Sequence, residues 1–123
     1  AKLNVVVGKA IGDGFAIMCP KALGADMVYA WPTAQISAMP AEAGAILLYG
    51  DEIAKASDGI AAKRQIIDRY IEEYANPWQA AQQGAIDDVI EPAHTRQVLI
   101  ASLEMAISKR EEKLPKKHGV LPL

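Results

Sequence analysis

A mostly apolar run, Leu3 to Val7, stops at Gly8 and is followed by glycines at 12 and 14; no other stretch constrains the fold of this chain as much. Three β-branched residues in a row, Val5 to Val7, predict a buried strand, and Gly8, Gly12 and Gly14 then break the pattern. After Gly14 the sequence turns apolar again and runs into a helix. A strand, a Gly-rich turn and a helix start together aim backbone N–H groups into open space, beside the positive end of a helix dipole. Such a place holds a phosphate, or the oxygen of an enolate or tetrahedral intermediate, without any special side chain. A plain tight turn leaves the same pattern, so this stretch alone does not choose between structure and chemistry.

Downstream the signals alternate between short strands and helices, which predicts an α/β chain with two long helices. Gly12 to Gly14 is a turn and Phe15 to Leu23 a short helix, interrupted near its middle by Pro20. Met27 to Trp31 and Gln35 to Met39 read as strands joined through Pro32 and Thr33. Glu42 to Tyr49 reads as a helix rich in small residues, with Pro40 just ahead of it, and polar Asp51 to Gly59 as a loop or loose helical turn. Ile60 to Ala75 carries the clearest helical stripe (Ile60, Ile67, Tyr70, Ile71 and Tyr74), and Asn76 and Pro77 stop it. Trp78 to Gln83 is a short helix closed by Gly84, and Ile86 to Ile90 a short strand ended by Pro92. Thr95 to Lys113 is a second long helix, with Val98, Leu99, Ser102, Leu103, Ala106 and Ile107 on its buried face; from Leu114 the tail is extended.

At 123 residues the chain is about one small domain. A hydrophobic share of 51% fits a well-buried piece, or one that leans on something else. A net charge of −2 gives no electrostatic case for nucleic acid or an anionic membrane. Cys19 is the single cysteine, which excludes a disulfide framework and a thiolate metal site and points to a reducing, cytoplasmic setting. His94 and His118 have no ligand-like spacing, so no metal is expected, and His94 reads as part of the start of the last helix. The acidic pair Asp87 and Asp88 reads as caps or surface salt bridges rather than as an acid–base pair, and Tyr29, Trp31 and Trp78 as packing residues. The pair Lys116 and Lys117 belongs to a solvated tail. A chain that opens on Ala1 with a strand almost at once reads as a cut inside a larger protein.

Four words carry a resemblance. They are the run from Lys9 through Ala25, DMVYAWPTAQISAM (Asp26 to Met39), YANPWQAAQQGAIDDVIEPAHTR (Tyr74 to Arg96) and the ending PKKHGVLPL (Pro115 to Leu123). Together they resemble the last part of the carboxyltransferase subunit of the biotin-dependent acyl-CoA carboxylases, of the propionyl-CoA and methylmalonyl-CoA type, with the related sodium-pumping decarboxylase subunits. The resemblance is weakest in Gly50 to Ala62 and matches only the end of a chain several times longer. It implies a crotonase-like spiral, here its C-terminal portion, with residues 1–123 forming part of a C-terminal carboxyltransferase domain. It also implies transfer of a carboxyl group between carboxybiotin and the α-carbon of an acyl-CoA.

In that family two oxyanion holes share the work where the N-domain of one subunit meets the C-domain of its partner. The C-domain hole is the Gly-rich turn, usually Lys-Ala-Tyr-Gly-Gly-Ala-Tyr, which falls here on Lys9 to Phe15. The backbone N–H groups of Asp13 and Gly14 are then the catalytic donors to the ureido oxygen, and Gly12, Phe15 and Ala16 are substrate-binding, with small Ala16 facing the acyl pocket. Asp13 stands where the family has its second glycine. Either its backbone is ordinary and its carboxylate turns away, or the hole is weakened, because a Cβ disfavours positive φ and a carboxylate opposes a developing anion. The segment Pro40 to Gly44 matches a family segment whose glycine sits elsewhere, so helix packing is its expected role. No Ala-Met-Lys-Met sequence is present, so biotin would arrive on a separate carrier protein or domain and is not attached to this chain. The implied partners are acyl-CoA, the biotin carrier, an N-terminal carboxyltransferase domain and further copies in a homo-oligomer. The isolated chain is expected to be inactive. The alternative is a non-catalytic assembly piece with a disabled oxyanion hole, and thioester hydrolysis with Asp13 as base ranks last.

Overall fold

The structure, a computed structural model, describes residues 1–110. Strand β1 (Leu3–Val6) is followed by β2 (Lys9–Ile11) and the one-turn helix α1 (Asp13–Ile17). After a 3-10 turn at Lys21–Leu23 the order repeats, with β3 (Met27–Ala30), β4 (Gln35–Ser37) and α2 (Ala41–Lys55). Each turn of the chain places its first strand in one sheet and its second in another. β1 pairs in parallel with β3, Leu3 opposite Met27 through Val6 opposite Ala30, and β2 pairs in parallel with β4, Lys9 opposite Gln35. Helices α3 (Gly59–Tyr74) and α4 (Pro77–Gln82) follow, then β5 (Asp88–Val89), which adds to the free edge of β3. A 3-10 turn at Pro92–His94 leads directly into α5 (Thr95–Ala106).

The strand after Gly8 was not expected. Gly8 does end β1, but Lys9–Ile11 has a parallel partner in Gln35–Ser37, and Ala10 and Ile36 bury their side chains together. The helix expected at Phe15 to Leu23 instead begins at Asp13 and ends at Ile17. Cys19, at φ 58, takes a left-handed turn immediately before Pro20, which leaves the remainder only a 3-10 turn. The polar stretch Asp51 to Lys55 is helical and makes α2 a third long helix, kinked at Tyr49 (φ −127, ψ 21) beside Gly50. Asp58 caps α3 by accepting from the N–H groups of Ile60 and Ala61, and Asn76 caps α4 by accepting from Gln79.

Two separate clusters fill the interior. The first joins both sheets to α4 through Val6, Ala10, Val28, Ala30, Ile36, Ala80 and Ile86. The second holds α2 against α3 through Ala45, Ile66, Tyr70 and Ala75. The expected α3 stripe holds in the middle, where Tyr70 is buried and Ile67 and Ile71 are half-buried, with Ile66 buried beside them, but its ends Ile60 (86%) and Tyr74 (46%) are exposed. In α5, Ser102 is fully buried and Val98 and Leu99 half-buried, but Leu103 and Ile107 stand in solvent. That helix ends at Ala106, and residues 111–113 of its expected range lie outside the described residues. A stripe wide enough for two neighbours meets one here, because α5 touches β3 along one side: Ser102 donates to the Val98 carbonyl (2.7 Å) and meets the Tyr29 hydroxyl (2.7 Å), while Trp31 Nε1 donates to Thr95 Oγ1 (3.0 Å). Tyr29 and Trp31 are therefore packing residues as expected, whereas Trp78 is 54% exposed.

The acidic pair is structural. Asp87 pairs with Lys21 and accepts from the Val28 N–H at 2.8 Å, while Asp88 accepts from the Val89 N–H. The extended tail, Lys116, Lys117 and His118 lie outside the described residues.

Candidate active site at the Gly12 turn

The turn sits where the parallel strands β2 and β4 both end, the position at which open parallel sheets leave a crevice for ligands. The Gly12 N–H donates to the Ser37 carbonyl at 2.9 Å and so stitches the two strand ends together. Gly12 has φ 52 and ψ −125, and a Cβ there would lie 3.1 Å from the Ala38 carbonyl oxygen. Glycine is required at this residue for both conformation and space. Its carbonyl accepts from the N–H groups of Phe15 (3.1 Å) and Ala16 (3.3 Å), which starts α1.

Asp13 and Gly14 occupy the first turn of α1, where N–H groups have no intrahelical partner. Among the described residues neither N–H has an acceptor, and no side-chain oxygen caps the helix. The positive φ belongs to Gly12, one residue before the replaced glycine, so Asp13 keeps an ordinary backbone and its carboxylate leaves the donors free. Of the two possibilities at Asp13, the first holds for the backbone.

A cavity of about 360 Å³ adjoins the turn. Gly12 and Phe15 line it together with Ile36, Ser37, Ala38, Tyr70, Tyr74, Ala80, Gln83 and Ala85. Phe15 is half-buried against the first cluster, whereas Asp13, Gly14 and Ala16 are exposed beside the cavity and do not line it. Reading the sequence missed the tyrosines, because an i, i+4 aromatic pair on an amphipathic helix looks like core. It also missed Ser37 and Ala38, whose backbone acts here and carries no side-chain signature. Among the described residues no group of three or more histidines, cysteines or carboxylates is placed to hold a metal.

Around the cavity the charged groups are structural. The Tyr49 hydroxyl donates to Glu73 at 2.8 Å, and this bond, with a smaller contribution from nearby Tyr74, pushes the Tyr49 phenol up to about 12. Arg69 lies over the Tyr49 ring and pairs with Glu52 at 3.3 Å.

Residues 1–121 match the family model of the carboxyl transferase domain. The chain belongs to that family. Among curated relatives, the carboxyltransferase subunit of propionyl-CoA carboxylase from Haloferax mediterranei is 47% identical over 98% of the chain, which spans 23% of that protein. The biotin-dependent acetyl-/propionyl-coenzyme A carboxylase beta5 subunit of Mycobacterium leprae is 36% identical over 99% of the chain and 23% of its own length. The crystal structure of the transcarboxylase 12S hexamer with methylmalonyl-coenzyme A and methylmalonic acid bound superposes with a TM-score of 0.85 at 43% identity, over 99% of this chain and 24% of that one. The chain thus spans about a quarter of the length of these carboxyl transferase domain proteins, and its fold is crotonase-like. The strand–strand–helix turns described above are the units of that spiral. No helix among the described residues is long and apolar enough to cross a membrane.

Proposed function

We propose that residues 1–123 are part of the C-terminal domain of a carboxyltransferase subunit that moves a carboxyl group between carboxybiotin and an acyl-CoA of the propionyl or methylmalonyl class. The observation that carries this reading is the Gly12 turn. In a chain of this family, it leaves the N–H groups of Asp13 and Gly14 unpaired at the start of a helix, beside a cavity at the ends of β2 and β4. Two preorganised donors of this kind lower the barrier to a developing oxyanion by about 3 kcal/mol or more. Their partner in the reaction is the ureido oxygen of biotin, carried on a separate protein or domain. Gly12 and Phe15 shape the pocket wall, and small Ala16 stands exposed beside it. An N-terminal domain from a partner subunit completes the site, so the chain alone is inactive. The exposed apolar residues Leu103, Met105 and Ile107 at the end of α5, and Ile17 and Met18 at the end of α1, fit a protein that works as an oligomer.

The test is made on the intact protein that carries this chain, assayed for carboxyl transfer from methylmalonyl-CoA to biotin. Asp13→Gly removes a negative charge next to the developing oxyanion, and kcat is expected to rise about threefold to tenfold. An intact wild-type protein with no transfer, together with an Asp13→Gly variant that also has none, rejects the catalytic reading in favour of an assembly role.

A further inference from the structure

Two polar side chains are buried among the described residues, Asn4 and Ser102. Ser102 is accounted for by the Val98 carbonyl and the Tyr29 hydroxyl. Asn4 is not accounted for by its strand. β1 turns residues 4 and 6 to the core, and at position 4 an apolar side chain would pack without the cost of burying an amide. The amide reaches out of the strand instead: Asn4 Nδ2 donates to the Met18 carbonyl at 2.9 Å, 14 positions along the chain. That carbonyl is left over by the local turn. Met18 closes α1, Cys19 at φ 58 turns the chain left-handed, and Pro20 has no N–H to offer. Among the described residues no backbone N–H donates to it.

α1 has few other anchors. None of its residues is buried. Phe15 is half-buried against the first cluster, and the Gly12 N–H on the Ser37 carbonyl fixes the start of the turn. Packing leaves a cavity of about 270 Å³ between helix and strand, with Asn4, Val6, Ala10, Phe15 and Met18 in its lining. Beside this space the Asn4 amide ties the end of the helix to β1. At five residues α1 is about 7.5 Å long, so a shift at its end is felt at its start, where the Asp13 and Gly14 N–H groups stand open.

We propose that Asn4 is a positioning residue for carboxyl transfer, holding the Met18 carbonyl and thereby the aim of the Asp13 and Gly14 donors. The proposal rests on the carboxyltransferase reading, which puts the developing oxyanion at those donors. The test uses the intact protein, methylmalonyl-CoA and free biotin, at a temperature where circular dichroism shows every variant folded. Asn4→Ala is expected to lower kcat about fivefold to twentyfold while KM for methylmalonyl-CoA stays within about twofold. Asn4→Ser, which keeps a polar group in the core but is too short to reach Met18, shows the same loss should the alanine variant not fold. Asp13→Pro takes away one donor N–H at the first helical position, which tolerates proline. In that background the cost of Asn4→Ala shrinks to about threefold or less, because one of the donors it aims is already gone. A folded Asn4 variant with unchanged kcat overturns the positioning role and leaves the carboxyltransferase reading intact. So does a loss of kcat that multiplies in full with that of Asp13→Pro, since Asn4 would then act elsewhere. An Asp13→Pro enzyme as active as wild type removes the donors and the positioning role together. A wild-type protein with no transfer activity removes the carboxyltransferase reading itself.

Discussion

The two-sheet body and the α2–α3 hairpin solve the same packing problem by opposite means. The body is built from short strands and small side chains, with Ala10, Ala30, Ala34 and Ala80 buried among a few larger residues. What it holds in place is backbone, above all the Gly12 N–H on the Ser37 carbonyl and the open donors that follow. The hairpin instead organises itself around one large side chain, Tyr70, seated over Gly44. Each region needs a glycine, but Gly12 is needed for its φ and Gly44 for its missing volume. The cavity lies where the regions meet, so one wall comes from the body, with Gly12, Phe15, Ile36 and Ser37, and the other from the hairpin's Tyr70 and Tyr74.

The largest effect should come from Gly44→Ala in the intact protein. Glycine inside a helix is ordinarily worse than alanine by up to about 1 kcal/mol. Here the added methyl overlaps the Tyr70 ring, so the sign reverses and a loss of about 2–3 kcal/mol is expected in urea unfolding. Gly50→Ala in the same helix meets nothing within 4 Å and should stabilise by about 0.5 kcal/mol. Equal behaviour of the two variants would remove the distinction between the glycines.

Gly12→Ala comes next, at a cost of about 1–3 kcal/mol, because the new Cβ must sit at positive φ and press on the Ala38 carbonyl. Its signature differs from that of Gly44→Ala: carboxyl transfer falls more than stability does, and the hairpin's helical circular dichroism persists. Loss of the hairpin signal in this variant would show the two regions to be one cooperative unit.

The smallest effect is acid sensitivity at Asp87, which ties β3 in the body to the turn after Pro20. Burial raises this carboxyl, but the Lys21 ammonium and the Val28 N–H outweigh burial and hold it below its ordinary 3.8. A carboxylate depressed in the folded state stabilises above the unfolded value and loses that contribution as pH falls through the lower folded value. Asp26, held down by Lys109 and by the Lys2 N–H, behaves the same way. Asp87→Asn should therefore cost under about 1 kcal/mol at pH 7, with the difference from wild type closing below about pH 4 in thermal melts. A difference independent of pH would mean that the carboxylate charge does not matter.

Much of this was legible along the chain. The run Val5 to Val7, the stops at Gly8, Pro20, Pro77 and Gly84, and the α3 periodicity each state a local preference that the fold honours, because strand burial, left-handed caps and missing N–H donors act within a few residues. The four matching words carried the family in the same direct way. Other features were not local. β2 exists because residues 35–37 lie beside it, and Asp51 to Lys55 became helical by continuing a helix already packed on α3. No sequence repeat marks the two strand–strand–helix turns, since what repeats is the placement of strands in two sheets. The outer face of α5 read as core because apolar periodicity records that a face needs cover, not which neighbour supplies it. At the site, the sequence determined the glycines, and hence where the backbone could turn and leave donors open. Only the tertiary structure decided that Gly12, not Asp13, carries the positive φ, and that Gly44 and Tyr70, 26 positions apart in the chain, share one space. Both follow from contacts across the chain, where steric exclusion acts between residues whose separation in sequence says nothing of their distance.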